Sequence, residues 1–340
     1  MNLSAFDFNL PDNLIAQHPS QKRDHSKLLI ANRESQKLEH KHFYDIYDEF
    51  GPNDVLVLNN TKVIPARLLG IKAETEAAIE VLLLKELHKD EWEALVKPAK
   101  RVKIGTKVHF GNGLLVAECI GVFDEGIRHF KMHYEGLFIE LLEKLGTMPL
   151  PPYITERLND ASRYQTVYAK HDGSAAAPTA GLHFTEVLLN KIREKGVTII
   201  PVTLHVGLGT FRPVSVDEIT THHMHKESYE ITESAAQQLN QALKDKKRIV
   251  AVGTTTIRTL ESNITENGFI AGHFDTQIFI YPGYKFKAVD ALITNFHLPK
   301  STLFMLVSAL SSLDFMQKAY QEAIKHEYRF FSFGDAMFIK

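Results

Sequence analysis

One segment of the sequence, AAPTAGLHFT at 176–185, has the residue types of a ligand-binding loop. It follows neither the 3.6-residue period of a helix nor the 2-residue period of a strand. Pro178 and Gly181 would fix its shape, and its alanines would let a flat ligand lie close. Thr179 and His183 would supply polar contacts. The alternative is a tight loop that only leads into the next helix, with the histidine as a cap.

A second segment, HVGLGTF at 205–211, combines a histidine with two glycines and a threonine. Gly207 and Gly209 allow a ligand to approach the backbone closely, and Thr210 offers a hydroxyl. The third glycine of a dinucleotide-binding fingerprint is missing, so that kind of cofactor site is not indicated. A turn that requires a positive φ is the alternative explanation.

Two further segments place polar side chains where a strand is followed by a helix. GTTTIR at 253–258 offers three hydroxyls at a helix start, where anions bind, and Arg258 could hold a carboxylate or phosphate. TNFHLPKSTL at 294–303 brings His297 and Lys300 next to a proline. Ordinary helix caps would explain both segments without a ligand. A P-loop is not indicated, because the G-x-x-x-x-G-K-[ST] pattern is absent from the sequence.

Metal and nucleophile chemistry have less support. HHMHKE at 222–227 has clustered histidines, but a polar loop that faces substrate or RNA explains it better than a zinc site with three convergent ligands. Cys119 lies in a predicted strand, where a buried structural thiol is favoured over a nucleophile. The sequence has no G-x-S-x-G elbow. We therefore expect no metal.

Composition places the chain among globular proteins of the cytoplasm. It has 340 residues, 44% hydrophobic residues, one cysteine and a net charge of −2. No apolar run reaches the ~18–20 residues of a membrane helix, and the first residues do not resemble a signal peptide. The charge balance argues against non-specific coating of nucleic acid, but a local basic patch could still dock one RNA.

The order of the predicted elements indicates an α/β protein that carries a small inserted barrel. Short strands separated by turns over 67–150 predict an antiparallel β-barrel. Alternating strands and helices over 1–66 and 151–340 predict a mostly parallel sheet with helices on both faces. In such a sheet, ligands bind beyond the carboxyl ends of the strands. Four polar tails, which follow VTIIPVTL, RIVAVG, ALITNF and RFFSF, should therefore meet at one edge.

These segments, taken together, resemble the S-adenosylmethionine:tRNA ribosyltransferase-isomerase family of queuosine biosynthesis. The resemblance runs nearly end to end, through FDFNLPDNLIAQHP, VLVLNNTKVIPARL, MPLPPYI, RYQTVYA, AAPTAGLHFT, VTLHVGLGTFRPV, GTTTIRTLES, TNFHLPKSTLFMLVSA and YRFFSFGDAM. It implies an α/β domain with a small barrel. It also implies transfer of the ribosyl part of S-adenosylmethionine to 7-aminomethyl-7-deazaguanine in tRNA. The ribose becomes an epoxycyclopentanediol, giving epoxyqueuosine, and adenine and methionine leave.

Such a reaction needs at least two groups that transfer protons, and histidines and carboxylates are the first candidates. We assign proton transfer to His183 or His205, the methionine carboxylate to Arg258 or Arg212, and a ribose hydroxyl or the amine to Asp335. S-adenosylmethionine is the co-substrate that the resemblance implies. Its predicted contacts are Thr179, Gly181, Gly207, Gly209, Thr210, Arg212, Thr254, Thr255 and Arg258.

The tRNA should meet a separate set of aromatic and basic residues, because unpaired bases stack on aromatic rings and arginines. The basic run KPAKRVKIGTK at 97–107 should contact phosphates, although it could equally be a solvated hairpin face. We expect a monomer. The predicted tRNA contacts are Tyr153, Arg157, Tyr164, Tyr168, Lys97, Lys100, Arg101, His297 and Lys300.

Three other functions fit the residues less well. A phosphotransferase or nucleotide hydrolase should carry Walker or metal motifs, which the sequence lacks. A non-catalytic RNA-binding module would leave the α/β part and its four polar tails without a purpose. A methyltransferase would share the cofactor, but no G-x-G-x-G loop follows the first strand.

Overall fold

A computed structural model of the chain describes residues 1–156, 158, 160–207, 214 and 216–340. The contacts divide the chain into two compact units. The sheet unit contains Met1–Thr61, Pro152–His171 and Ala177–Lys340, and the barrel unit contains Lys62–Pro151 and Asp172–Ala176. The domain boundaries predicted from the sequence, at 66/67 and 150/151, remain a prediction. No helix within the described ranges is both long and apolar enough to cross a membrane.

The described residues form strands and α-helices with the following bounds. The strands are β1 (Lys27–Asn32), β2 (Lys37–His42), β3 (Asp54–Asn59), β4 (Thr61–Val63), β5 (Arg67–Lys72), β6 (Ala78–His88), β7 (Glu91–Lys97), β8 (Lys107–Phe110), β9 (Leu115–Val122), β10 (Ile127–Tyr134), β11 (Gly146–Thr147), β12 (His171–Ser174), β13 (Thr198–Leu204), β14 (Glu227–Ile231), β15 (Arg248–Val252), β16 (Gly272–Thr276), β17 (Ala291–Asn295) and β18 (Ala336–Ile339). The α-helices are α1 (Phe138–Leu145), α2 (Glu186–Glu194), α3 (Glu233–Lys244), α4 (Thr254–Asn263), α5 (Thr302–Leu310) and α6 (Leu313–Lys325).

The barrel is antiparallel and closed, as the sequence predicts. Its six strands follow the order β5-β6-β7-β10-β9-β8, and β8 pairs back to β5. Alternate residues of β7 and β10 are buried, so one face of each strand fills the interior. Trp92, Ala94 and Phe130 are among the residues on that inner face.

The large sheet of the sheet unit is mixed, so a mostly parallel sheet is not confirmed. Its order is β16-β14-β13-β3-β15-β17-β18-β1-β2. Of the eight pairings between these strands, four are parallel and four are antiparallel. The parallel run is the centre, where β13, β3, β15 and β17 lie side by side. Alternating strands and helices predict parallel pairing for these central strands only. The antiparallel pairs nearer the outside of the sheet need no crossover helix between their strands.

The centre of the sheet is buried on both faces. Every residue of β3, β15 and β17 is buried, apart from the half-buried Arg248. One face packs against Phe184 and the apolar side of α2, which Thr185 caps by accepting a hydrogen bond from the Leu188 N–H. This cap and the start of the helix agree with the sequence pattern.

Strand β18 reaches the same edge as the central strands from the opposite direction. The sequence analysis places a strand in RFFSF that runs into GDAM, but the strand is Ala336–Ile339 and follows that segment. It is antiparallel to β17, with Ala336 opposite Asn295, so its amino end lies where β17 ends. The strand β1 is parallel to β18, so Ser26, just before β1, comes to this edge as well. Three of the four predicted tails therefore meet at one edge, and the segment RFFSF, which precedes β18, takes the place of the predicted tail GDAM.

Candidate active site

A cavity of about 290 Å³ lies at this edge of the sheet unit. Val206 lines it after β13, Gly253 after β15, and residues 294–301 at the end of β17. Phe331 lines it ahead of β18, and residues 177–180 of the first segment analysed complete the wall. Three of the predicted tails and the segment ahead of β18 thus enclose a cavity of the size that holds a small ligand.

Six of the residues predicted to bind a substrate line this cavity. None of them lies in a strand: four are in loops or short turns, and Thr254 and Thr255 begin α4. They are Tyr153, Thr179, Thr254, Thr255, His297 and Lys300. Arg157, Gly209, Thr210 and Arg212 were also predicted to bind and lie outside the described residues.

The wall is mainly apolar, with few polar groups. Ala177, Pro178 and Ala180 give one side little bulk, and Phe296 and Phe331 add aromatic surface. Apolar walls with a few oriented polar groups are typical of cofactor sites. Phe331 and its neighbour Ser332 were not predicted, since the RFFSF pattern resembles a strand.

His183 does not line the cavity and has both ring nitrogens in hydrogen bonds. The amide nitrogen of Asn295 lies 3.2 Å from His183 Nε2 and 3.1 Å from the carbonyl oxygen of Phe331. Because a carbonyl only accepts, the amide nitrogen is the donor to both, and Nε2 is the acceptor. Nδ1 therefore carries the proton and donates it to Ser26 Oγ at 2.7 Å.

Burial keeps the His183 imidazole neutral. The ring is 5% exposed and stacks on Phe43, and burial lowers its pKa to about 3, with smaller contributions from Arg329 and Arg23. A ring that does not line the cavity and has both nitrogens in hydrogen bonds to protein groups positions its partners. Proton transfer by His183 is not supported by this geometry.

The partner of His183, Asn295, is a cavity residue that sequence reasoning missed. Its side chain is 3% exposed, and Oδ1 has no hydrogen-bond partner among the described residues. A buried carbonyl oxygen without a donor costs free energy until a ligand supplies one. The available signal was the pair of polar residues, Thr294 and Asn295, that ends the apolar strand β17.

The other two predicted catalytic residues also lie outside the cavity wall. His205 is half-buried, and its Nδ1 is 2.8 Å from Thr61 Oγ1. Asp335 is 2% exposed, and its two carboxylate oxygens accept the N–H groups of Lys27 and Arg329 at 2.9 and 2.8 Å. Asp335 therefore fixes the starts of β1 and β18, and a contact with ribose or amine is not supported.

Arg258 is neither a surface residue nor a cavity residue. It is 3% exposed and forms an ion pair with the buried Glu227. The other oxygen of Glu227 accepts the N–H of Gly207 at 3.2 Å. The arginine therefore anchors the segment that follows β13 and is not placed to hold the methionine carboxylate. Nε and Nη2 of Arg258 have no partner in the described ranges.

His297 and Lys300 line the cavity, although they were predicted from the sequence to contact tRNA. His297 is 8% exposed, and its Nε2 lies 2.9 Å from Thr294 Oγ1. Burial lowers the pKa of His297 to about 3, so the ring is neutral. Lys300 is exposed and pairs with Asp7 at 2.7 Å. Ser301 caps α5, so the capped helix start and the cavity wall occur together.

The predicted tyrosine cluster separates into three different environments. Tyr153 lines the cavity, stacks on Phe331 and meets Ser332 Oγ at 2.5 Å. Tyr164 is 0% exposed and packs edge-on against Phe333, so its predicted contact with an RNA base does not fit. Tyr168 is half-buried beside the main core. Periodicity does not reveal which tyrosine is in the core, because that depends on packing partners.

Gly181 was predicted to contact the cofactor, but its missing side chain makes room for Tyr168. A Cβ at Gly181 would lie 2.0 Å from the Tyr168 hydroxyl and 2.8 Å from Thr166 Cγ2. The glycine is therefore required for packing behind the cavity wall.

The remaining sequence-predicted groups keep the roles that their surroundings allow. Lys97, Lys100 and Arg101 are exposed at the end of β7 and in the turn that follows it in the barrel unit. Cys119 is buried in β9, and burial raises the pKa of its thiol, which fits a structural residue. His222 packs on Phe279, and the described residues form no three-ligand group at 222–227.

Comparisons with known proteins agree with one another. Residues 3–339 match the family described as "Queuosine biosynthesis protein". A Staphylococcus haemolyticus protein named S-adenosylmethionine:tRNA ribosyltransferase-isomerase is 58% identical over 340 residues, covering all of both chains. A Clostridioides difficile protein of the same name is 58% identical over 341 residues, again in full. A crystal structure of S-adenosylmethionine tRNA ribosyltransferase from Thermotoga maritima has a TM-score of 0.57 and 39% identity, and the match covers 99% of this chain and 100% of that one.

We expect Gly181→Ala to lower the free energy of unfolding by about 1–3 kcal/mol, because the added methyl group overlaps Tyr168. Chemical denaturation measures this change. Adding Tyr168→Phe should restore part of the loss, since it removes the overlapping hydroxyl. Gly207→Ala is the matched control, because a Cβ there has no atom of the described residues within 4 Å. Equal losses in the two glycine variants would contradict the explanation.

We expect acid to destabilise the protein through His183 and His297. The pKa of each is about 3 in the folded chain against 6.5 otherwise, so the unfolded chain binds the extra protons as the pH falls below about 6.5. Folding stability should fall by about 1.4 kcal/mol per pH unit for each histidine until the pH approaches 3. His183→Gln should reduce this slope in unfolding measurements between pH 4 and 6.5. An unchanged slope in His183→Gln would refute the prediction.

Proposed function

The chain belongs to the queuosine biosynthesis protein family, as an S-adenosylmethionine:tRNA ribosyltransferase-isomerase, and we propose its detailed reaction as follows. It transfers the ribosyl part of S-adenosylmethionine to the aminomethyl group of 7-aminomethyl-7-deazaguanine in tRNA. The ribose is isomerised on the way. The products are epoxyqueuosine in tRNA, free adenine and free methionine.

The observation that carries this proposal is the cavity at the edge of the central strands. Its volume of about 290 Å³ lies at the lower end of small-molecule sites, which are about 300–1,000 Å³. It therefore suits a single small co-substrate, and the tRNA base has to reach it from outside. Its alanine-lined side and aromatic residues suit a flat purine.

Asn295 supplies a specific partner for that purine. Its amide nitrogen is used by His183 and Phe331, so its free oxygen can only accept. The exocyclic amino group of adenine is a donor. We assign this pair of groups to each other, with the neutral His183 holding the amide in the required orientation.

The start of α4 supplies a partner for the methionine carboxylate. Thr254 and Thr255 line the cavity at the first turn of this ten-residue helix. Free N–H groups and the helix dipole favour an anion at that position. This assignment replaces Arg258, whose charge Glu227 already compensates.

His297 is the proposed proton carrier. It lines the cavity, and burial keeps it unprotonated at neutral pH, which is the form that a base requires. It takes the proton from the 5′ carbon beside the sulfonium, and adenine leaves the anomeric carbon and takes up a proton. The neutral tRNA amine attacks the anomeric carbon and gives up a proton. The bond between the ring oxygen and the anomeric carbon then breaks, and the 5′ carbon bonds to the anomeric carbon, which closes the five-membered carbocycle. The freed ring oxygen finally displaces methionine from the 5′ carbon and closes the epoxide. His205 is the second candidate.

The reaction is tested by incubating the protein with S-adenosylmethionine and an anticodon stem-loop that carries the aminomethyl base. We expect mass spectrometry to detect adenine, methionine and the heavier base together. An RNA with an ordinary guanine at that position is the control, and it should yield no modified base. A gain of one methyl mass would instead identify a methyltransferase and overturn the proposal.

The same assay separates the assigned groups. His297→Gln should lower the turnover rate at saturating S-adenosylmethionine by at least about 100-fold, the usual effect of losing general acid/base catalysis. Asn295→Ala should mainly raise KM for S-adenosylmethionine. If His205→Gln loses the rate and His297→Gln keeps it within threefold, the proton carrier is His205.

The exposed basic run of the barrel unit is proposed to contact tRNA phosphates. Lys97, Lys100 and Arg101 are exposed there, and each phosphate contact to single-stranded RNA contributes about 0.7 to the slope of log affinity against log salt. Replacing all three by alanine should reduce that slope by about 2 in tRNA-binding titrations. Alanine at Lys244, Lys246 and Lys247 is the matched control. The assignment fails if both triple variants keep the full slope.

A further inference from the structure

A cluster of two histidines and one carboxylate lies on the sheet unit and does not line the cavity. His40 projects from the strand β2, while Glu322 and His326 lie one turn apart at the end of α6. Glu322 Oε1 lies 3.5 Å from His40 Nε2 and 2.9 Å from His326 Nε2. We propose that these three side chains bind a divalent transition-metal ion, with Zn²⁺ as the best fit.

The hydrogen bonds around His40 indicate which of its atoms faces the site. Tyr328 is 1% exposed, and its hydroxyl lies 3.4 Å from the carbonyl oxygen of Leu28 and 2.9 Å from His40 Nδ1. The carbonyl can only accept, so the hydroxyl donates to it and accepts the Nδ1 proton of His40. Nε2 is then the ring nitrogen that faces Glu322, 3.5 Å from Oε1. Histidines that bind metals are commonly oriented by such a second hydrogen bond.

A metal ion bound between His40 Nε2 and the Glu322 carboxylate would take the place of the Nε2 proton, because a metal-binding imidazole must be deprotonated at the ligand atom. Zinc bonds of about 2.0–2.2 Å in a tetrahedron separate neighbouring ligand atoms by roughly 3.3–3.5 Å. The 3.5 Å between His40 and Glu322 already has this length, and all three ligand atoms lie within 4.8 Å of one another. The pair at 2.9 Å has to widen to the same length.

The three ligands leave one tetrahedral position for water. Two histidines and a glutamate with a water molecule form a known zinc ligand set. Because the side chains are 33–46% exposed, solvent and the ion reach the site directly. The ion would join β2, which is the last strand of the sheet order, to the end of α6. We therefore assign it a structural role that is separate from the proposed reaction.

The test is titration of metal-free protein with Zn²⁺ by calorimetry, and with Co²⁺ by visible absorption. We expect the wild-type chain to bind one equivalent more than His40→Ala or His326→Ala, and its Co²⁺ spectrum to show the strong bands of tetrahedral coordination. Tyr328→Phe keeps the ligands but removes the acceptor of the Nδ1 proton, so it should weaken this site by about 10–100-fold.

His133→Ala is the matched control. His133 lies 3.1 Å from Glu118 at similar exposure, but no third ligand joins this pair among the described residues. This variant should bind Zn²⁺ like the wild-type chain. If the His40, His326 and His133 variants all bind as many equivalents as the wild-type chain, with unchanged affinity, the cluster is a surface ion pair and the proposal is wrong. Glu322→Gln gives a further check at nearly constant side-chain shape and should also lose the equivalent.

Discussion

The hydrogen bond from Asn295 to a neutral His183 determines how the candidate site is arranged. It links three parts of the chain, because His183 ends the alanine-rich segment, Ser26 precedes β1 and Asn295 ends β17. A charged imidazole at this depth would lack a counter-ion, so burial selects the neutral ring. The neutral ring has one donor nitrogen and one acceptor nitrogen. The acceptor faces Asn295, so the amide turns its nitrogen toward the ring. Oδ1 of Asn295 is thereby left without a donor among the described residues, and the proposed function assigns the ligand to supply one.

The edge of the sheet where the cavity lies could be predicted from the sequence, because strand direction alone decides which tails meet there. Parallel strands bring their carboxyl ends together, and the tails of β13, β15 and β17 line one cavity. Side-chain roles were harder to predict, since they depend on partners distant in sequence. Arg258 is matched by Glu227, and Asp335 by the N–H groups of Lys27 and Arg329. A polar residue at a strand end can equally well hold the backbone or face a ligand.

The aromatic segment before β18 shows a related limit of predicting strands from sequence patterns. The segment RFFSF at 329–333 is rich in aromatic residues and was interpreted as a strand, although it is an irregular approach to β18. Its burial comes from other elements: Phe330 packs on Phe296 and Tyr320, and Phe331 stacks on Tyr153. Aromatic residues favour strands on average, but tertiary contacts decide at each position. The same segment still reaches the cavity, because β18 runs against β17.

The buried pair of Arg258 and Glu227 has a consequence for how this chain can vary. Removing one partner leaves an uncompensated charge inside the protein, which costs about 3–5 kcal/mol, whereas replacing both by apolar residues can be nearly neutral. Replacing the two residues one at a time therefore passes through a destabilised protein. Glu227 also accepts the Gly207 N–H, so even the double replacement would release that backbone group. The residue that is tolerated at any one of these three positions, which lie on different elements, thus depends on the other two.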